Sequence, residues 1–366
     1  MMNTASPIWG LAGPSRIAET STTDGTIALL NLEAQIEARQ SAAALCHSQV
    51  ENQVTLVELI ALRGLILGRV ADYERAAQIA EQLAGDASAG RAVFLARART
   101  RANFHLFMDA LDDLEAAQRL SLDAETASAE RAAIFQALGR YDEALAIREE
   151  AANRRPNFET LAALAGLWAE RGDAETAQRL YRDCRSRYRG VSPFPLALLD
   201  FQMGLMWMEH GQFDNARTWF DAARRRLPAY AAAQCHLAEV EAELGDIEAA
   251  AARLYPLAAS SDDPDNAAQL ARILGDAGRT EESYGWRQLA AARYDELVER
   301  HPEAFSDHAA EFWLAAGADP DKAVRLAQMN LDVRKTQRAH DLLSRAVSAK
   351  KAASGKGPDM RGARTI

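Results

Sequence analysis

Four residues on one predicted helix, Met203, Met206, Met208 and His210, are followed at the start of the next helical segment by Cys235 and His236. Thioether, thiol and imidazole donors together suit soft Cu(I). Met203 and Met206 stand one helical step apart, however, and methionine is a common filler of core gaps. Core is therefore the preferred reading, and no metal or cofactor is expected. The paired acids Asp112-Asp113 and Asp262-Asp263 could do acid–base work, but they fall on a helix face and in a loop, where solvation is the simpler role. The sequence holds no HExxH pair, Walker loop, dinucleotide glycine fingerprint or nucleophile elbow, and its seven histidines are scattered. With no convergent acid, base and nucleophile, the chain is expected to be non-catalytic.

Composition narrows the class further. Of 366 residues 48% are hydrophobic and 26% charged, which excludes a wholly disordered or membrane-embedded chain. The net charge is -10, but residues 333 to 366 carry nine Lys or Arg against Asp341 and Asp359, leaving the rest far more acidic than the total implies. Such a surface is a poor match for a phosphate backbone, so no nucleic-acid partner is expected. Cys46, Cys184 and Cys235 are too few and too scattered for a disulfide framework or a zinc site, which favours a reducing, cytoplasmic setting. No stretch approaches the roughly 18 apolar residues of a membrane helix, so no membrane insertion is expected.

The elements that would position any site follow from an internal repeat. YERAAQIAEQL, FMDALDDLEAA, YDEALAIREEA, AETAQRLYRDC, FDNARTWFDAA, IEAAAARLYPL and TEESYGWRQLA share an aromatic or aliphatic start, an Ala and an amphipathic turn. The shared position holds Ala76, Ala110, Ala144, Ala177, Ala216, Ala250 and Ser283, at spacings of 34, 34, 33, 39, 34 and 33. Twelve residues upstream of each stands another small residue: Gly64, Ala98, Ala132, Ala165, Gly204, Ala238 or Ala271. Two helices approach closely only where neither is bulky, so these mark hairpin crossings. Gly139, Gly172, Gly211, Gly245 and Gly278 occupy the turns between them.

This pattern resembles the tetratricopeptide repeat over residues 57 to 337. It departs from the family where a Trp is usual near each repeat start, replaced here by Ile60, Phe94, Ser128, Leu161, Asp200, Gln234 and Ala267, and only Pro156 and Pro228 keep the closing proline. The resemblance implies an all-α, right-handed α-α superhelical solenoid. Its expected organisation is a loose arm over 1–25, a covering helix and connection over 26–56, seven repeats over 57–303, a degenerate eighth repeat with a cap helix over 304–351 and a basic tail over 352–366. The 39-residue spacing marks an inserted loop, RYRGVSPFP, between the fourth and fifth units.

In the family the first helix of each pair lines a concave groove. The corresponding positions here hold Arg69, Arg99 and Asn103, then small residues, then an apolar run of Leu198, Phe201, Leu205 and Met208, flanked or followed by Glu170, Glu209, Glu239, Glu243, Asp265 and Asp276. The expected partner is another protein or peptide, with an apolar anchor seated on Phe201, Leu205 and Met208 and with basic neighbours. A regulatory subunit holding a small ligand is the second expectation and a solenoid enzyme the last. The Lys and Asn pair with which the family's Hsp70 and Hsp90 cochaperones hold a C-terminal carboxylate is replaced by Ala61 and Leu65, Leu95 and Arg99, and Ala129 and Ala133, so chaperone-tail binding is not expected. A ladder of Arg63, Arg97 and Arg131, with Arg101 beside it, is expected to pair between helices, with Asp109, Asp112, Asp113 and Glu115 as candidate partners.

Overall fold

The computed structural model describes residues 20–45 and 50–355, and among these are eighteen α-helices and no strand. α1 (Gly25–Leu45) leads into eight antiparallel hairpins. They are α2 (Val50–Leu67) with α3 (Val70–Ala84), α4 (Arg91–Asn103) with α5 (Phe107–Arg119), α6 (Ala124–Ala137) with α7 (Tyr141–Arg154), and α8 (Phe158–Glu170) with α9 (Ala174–Arg187). There follow α10 (Phe194–Glu209) with α11 (Phe213–Arg226), α12 (Ala231–Glu243) with α13 (Ile247–Ser260), α14 (Pro264–Asp276) with α15 (Thr280–Arg300), and α16 (Pro302–Leu314) with α17 (Pro320–Val333). α18 (Gln337–Gly355) closes the array.

The small residues set the hairpin crossings. Ala76, Ala110, Ala144, Ala177, Ala216, Ala250 and Ala323 have 0% of their surface exposed. The small residues on the facing helices are buried as well, and a methyl group on Gly204 would lie 2.5 Å from the Phe220 ring. Ser283 keeps the pattern with a polar side chain because its Oγ donates to the Ala271 carbonyl at 2.7 Å. The turn glycines adopt left-handed backbone, as at Gly139 with φ +83°. The second hairpin has no glycine there and places His105 at φ +57°, with its ring stacked on Phe107. Asp319 caps α17 by accepting the Lys322 N–H, with Pro320 in the first turn, as an Asp-Pro pair predicts.

The superhelix is tight enough that one coil docks on the next. The turn of each early hairpin meets the loop that follows a hairpin five units later. Asp262 accepts Val70 N and Ala71 N, each at 2.8 Å, and Ser261 Oγ donates to Gly68 O at 2.7 Å. His105 Nδ1 meets Glu303 O at 2.9 Å, and the Phe104 ring packs on His301 at 4.2 Å. Lys335 N donates to Leu138 O at 3.2 Å, and Arg334 Nε to Ala137 O at 3.2 Å. One core cluster accordingly joins Leu32, Ile36 and Ile60 of the first helices to Leu196, Met203 and Leu237 of the middle ones.

Two segments expected to be loose are held at the points described. Residues 1–19 of the arm lie outside the described residues, but Thr23 N donates to Val191 O at 2.8 Å, Arg226 reaches Thr20 O, and Asp24 caps α1. Residues 356–366 of the tail also lie outside them, whereas 352–355 continue α18. The inserted loop is packed by Tyr188, which is 8% exposed and whose hydroxyl donates to Ser192 O at 2.6 Å.

Candidate functional site

The first helices of the hairpins face inward, and between three of them lies an apolar pocket of about 410 Å³. Leu62 of α2 forms one wall, Phe158 and Ala162 of α8 a second, and Phe194, Leu198 and Leu199 of α10 a third. Gln202 adds an amide and Tyr181 of α9 lies behind. Leu62 reaches this place only because the coil closes, so sequence spacing carried no sign of its part in the wall.

The expected groove residues divide into three groups. Leu198 lines the pocket, and Leu205 and Met208 are partly buried against the same core. Phe201 is 8% exposed, with its ring against Phe220, Tyr230 and His236 at 5.7, 5.2 and 5.5 Å, which makes it part of the core instead of an open anchor. The charged residues are largely engaged within the chain. Arg99 bridges Glu58 at 2.6 Å and Glu130 at 2.7 Å, forming a ladder over α2, α4 and α6. Glu170 accepts from Tyr141 and Gln136. Glu239 accepts from His236 at 3.2 Å, and Arg272 stands 3.8 Å from it and 3.5 Å from Glu243. Burial pushes the Glu239 carboxyl up, but the His236 hydrogen bond and the charges of His236 and Arg272 hold it below its ordinary value. Glu209 is exposed to solvent yet crowded by protein, and desolvation raises its carboxyl despite Arg338. Arg69 is the N-cap residue of α3, in the first docked turn, and Asn103 ends α4 on the surface.

The arginine ladder is internal. Arg63 holds Asp72 through two bonds, of 2.8 and 2.5 Å, and Arg97 holds Asp113 through bonds of 3.0 and 2.6 Å. Arg101 bridges Asp113 and Glu81, and Arg131 reaches Gln118. Of the candidate acids it is Asp113 that takes the ladder's charge. The sulfur and imidazole donors are spent separately: Met203 and Met206 are 1% exposed, His210 Nδ1 meets Met206 O at 2.8 Å, and burial pushes the Cys235 thiol well up.

A polar cluster on α14, α15 and α16 groups Asp265, expected only as a groove acid, with residues that sequence spacing did not connect to it. His308 Nδ1 is 2.9 Å from Asp265, which also accepts from the Tyr294 hydroxyl, while Arg334 pairs with Asp307 at 3.0 Å. Asp265 and Asp307 push the His308 imidazolium up to about 10, so it is charged at neutral pH. The scattered histidines gave no local signal, because this cluster assembles from two consecutive hairpins and the loop after α17.

No protein-family model matches the chain, and no curated protein matches it. Among solved structures it is similar to the human IFIT1 dimer with m7Gppp-AAAA, with a TM-score of 0.53 and 15% identity, over 88% of this chain and 77% of that one. The human IFIT1 dimer with PPP-AAAA gives a TM-score of 0.52 at 15% identity, over 90% and 79% of the two chains. The APC/C hetero-tetramer Cut9-Hcn1 gives 0.47 at 13% identity over 89% of this chain, which spans 64% of the length of that one. What is shared at such identity is the fold: a superhelix of paired helices of the tetratricopeptide kind.

Proposed function

We propose that this tetratricopeptide-like solenoid is a non-catalytic scaffold that binds another protein or peptide, and that the pocket between α2, α8 and α10 receives an apolar side chain of that partner. The observation that carries the reading is the pocket itself. About 410 Å³ of space, open to solvent, is lined by Leu62, Phe158, Ala162, Phe194 and Leu198, and an apolar concavity of this size can take up one side chain of a partner. Binding energy concentrates where such a pocket desolvates one anchor. Leu198 therefore takes the part that the sequence reading gave to Phe201, while Leu205 and Met208 remain on the same helix beside it. The paired acids Glu170, Glu239 and Glu243 serve the scaffold's own cohesion.

Affinity capture from the native source, with the parent and Leu198→Asp proteins side by side, tests the proposal. One stoichiometric protein captured by the parent and lost by the variant, at unchanged helix content, is the expected result. Equal capture by both moves the site elsewhere. The second reading, a sensor of a small ligand, is favoured by the same pocket volume, and a small molecule retained in native mass spectrometry by the parent alone would select it.

A further inference from the structure

The docking of one coil on the next keeps a fixed register. The turns of the first three hairpins, at Gly68, His105 and Leu138, meet the chain just after the sixth, seventh and eighth, at Ser261, Glu303 and Lys335. The same step taken backwards calls for a unit before α2 whose turn meets the chain just after the fifth hairpin. α1 meets that condition. A methyl group on Gly25, its first residue, would lie 2.9 Å from Leu227 Cα, and Arg226 Nη1 donates to Thr20 O at 3.2 Å and to Thr22 Oγ1 at 3.3 Å. α1 therefore stands as the second helix of a hairpin, with residues 20–24 as its turn. Among the described residues the first helix of that pair has no counterpart, since their chain begins at Thr20.

The next unit shows where such a partner would lie. α2 packs on α12, the first helix five units further on, and a methyl group on Gly68 at its end would lie 3.1 Å from Ala231 Cβ. One step back, the matching place lies inside the coil beside α2 and α10. The apolar pocket is there, with Leu62 of α2 on one side and Leu198 of α10 on another. It is a gap in the inner row of helices. The start of the described chain runs along its edge: Ser192 lines the pocket, and Thr23 N donates to the carbonyl of Val191, the residue before it, at 2.8 Å.

Residues 1–19 lead directly into this edge, and their composition suits the space. MMNTASPIWGLAGP carries no charged side chain and sets Ile8, Trp9 and Leu11 close together. The pocket lining holds no charged residue either, its polar side chains being those of Tyr181, Ser192 and Gln202. Trp9 precedes Thr20 by 11 residues, and a chain of that length spans up to about 36–40 Å, so reach sets no obstacle. The tether also keeps the segment at high effective concentration. We propose that residues 8–11 of this chain's own arm fill the pocket between α2, α8 and α10, with the Trp9 ring set between Leu62 and Leu198. The inference goes beyond the scaffold reading and does not depend on it. A partner that uses the same pocket has to displace the arm.

Photo-crosslinking in the full chain tests it. Trp9→p-benzoylphenylalanine puts a photoreactive ring at the anchor, and mass spectrometry of the digested protein locates its products. They should fall on the peptides that carry Leu62, Phe158 and Leu198, and should form within one chain when light and heavy-isotope protein are mixed. Leu198→Asp should cut their yield roughly tenfold, the loss of one desolvated anchor contact. Ile8→Asp with Leu11→Asp should do the same, and these two positions lie outside every described helix, so the solenoid keeps its helix content. Products that map elsewhere, that join only two copies, or that form at the pocket regardless of the arm substitutions overturn the inference, as does the absence of any product there. If capture of a native partner depends on Leu198 while no product reaches the pocket, the scaffold reading stands and this inference alone falls. Pocket products with no captured partner leave this inference and remove that reading.

Discussion

The carboxylate of Asp262 caps helix α3 at Val70, 192 residues earlier in the chain, by accepting the Val70 and Ala71 N–H groups at 2.8 Å each. The helix's own N-cap residue, Arg69, supplies no side-chain acceptor. An anion from the next coil thus satisfies the first-turn donors and meets the positive end of the helix dipole. Asp262→Ala should lower stability by about 1–2 kcal/mol in urea unfolding, with Asp262→Asn intermediate. An unchanged midpoint would mean that the cap contributes nothing to closure.

Two glycines with the same backbone separate turn strain from coil docking. Gly139 and Gly172 both have φ +83°, but a methyl group at Gly139 would collide with the Lys335 carbonyl, whereas nothing lies within 4 Å of Gly172. Alanine at either position bears the left-handed penalty of about 1 kcal/mol. Gly139→Ala should cost at least about 1 kcal/mol more, by loss of the contact with the loop before α18. Equal thermal shifts would show that this contact is energetically idle.

Stability should depend on pH through His308, which faces Asp265, Asp307 and the more distant positive charge of Arg338. Its pKa is raised from 6.5 to about 10 in the folded chain, so its contribution is complete below pH 6.5 and is lost as pH rises toward 10. Asp265 is shifted the other way. Burial opposes its charge, but the charge and hydrogen bond of His308 outweigh that, so its contribution is lost as pH falls through the carboxylate range. Urea midpoints should therefore decline above neutrality, and His308→Gln should flatten that decline. The His308 side chain is 46% exposed, which screens the effect below what a sealed pair would show. A parent midpoint constant from pH 6 to 9 would refute the assignment.

Asp200 replaces the bulky residue usual near a repeat start and is 0% exposed between Arg185 and Arg226. Burial raises its carboxyl despite both arginines. Asp200→Ala would leave two guanidinium groups without their acid in a site where Arg185 is 9% exposed, at a cost of about 3–5 kcal/mol. A loss below about 1 kcal/mol in denaturant melts would show that the arginines relax to water.

Phe201 and Leu198 should respond differently to truncation. Phe201→Ala removes a ring from the contacts with Phe220 and Tyr230 and should cost about 3–5 kcal/mol of stability. Leu198→Ala opens a wall of an existing pocket, so its main effect should be on partner affinity, by a hot-spot-sized 2 kcal/mol or so. Matched calorimetric melts for the two variants would contradict this division.

The hairpins themselves were legible because close approach of two helices admits only small side chains. Ala76 with Gly64, Ala144 with Ala132, and Ala216 with Gly204 therefore recur at a fixed spacing that any reader of the sequence meets. The arginine ladder was legible for a related reason, since the stems of Arg63 and Arg97 fill core-facing positions and their charged ends need acids within reach. The choice of Asp72 and Asp113 over the neighbouring acids depended on how the helices rotate against each other.

The sequence alone determined a repeated helical hairpin and the direction of its inward faces, because both follow from local period and side-chain volume. The tertiary structure decided what those faces offer. Superhelical pitch is the sum of many small crossing angles, none of them encoded at one position, and here that sum brings Asp262 onto α3 and Leu62 opposite Leu198. Phe201 is buried by its own hairpin and the next, against Phe220, Tyr230 and His236, whereas closure of the coil is what sets Leu62 in the same pocket as Leu198.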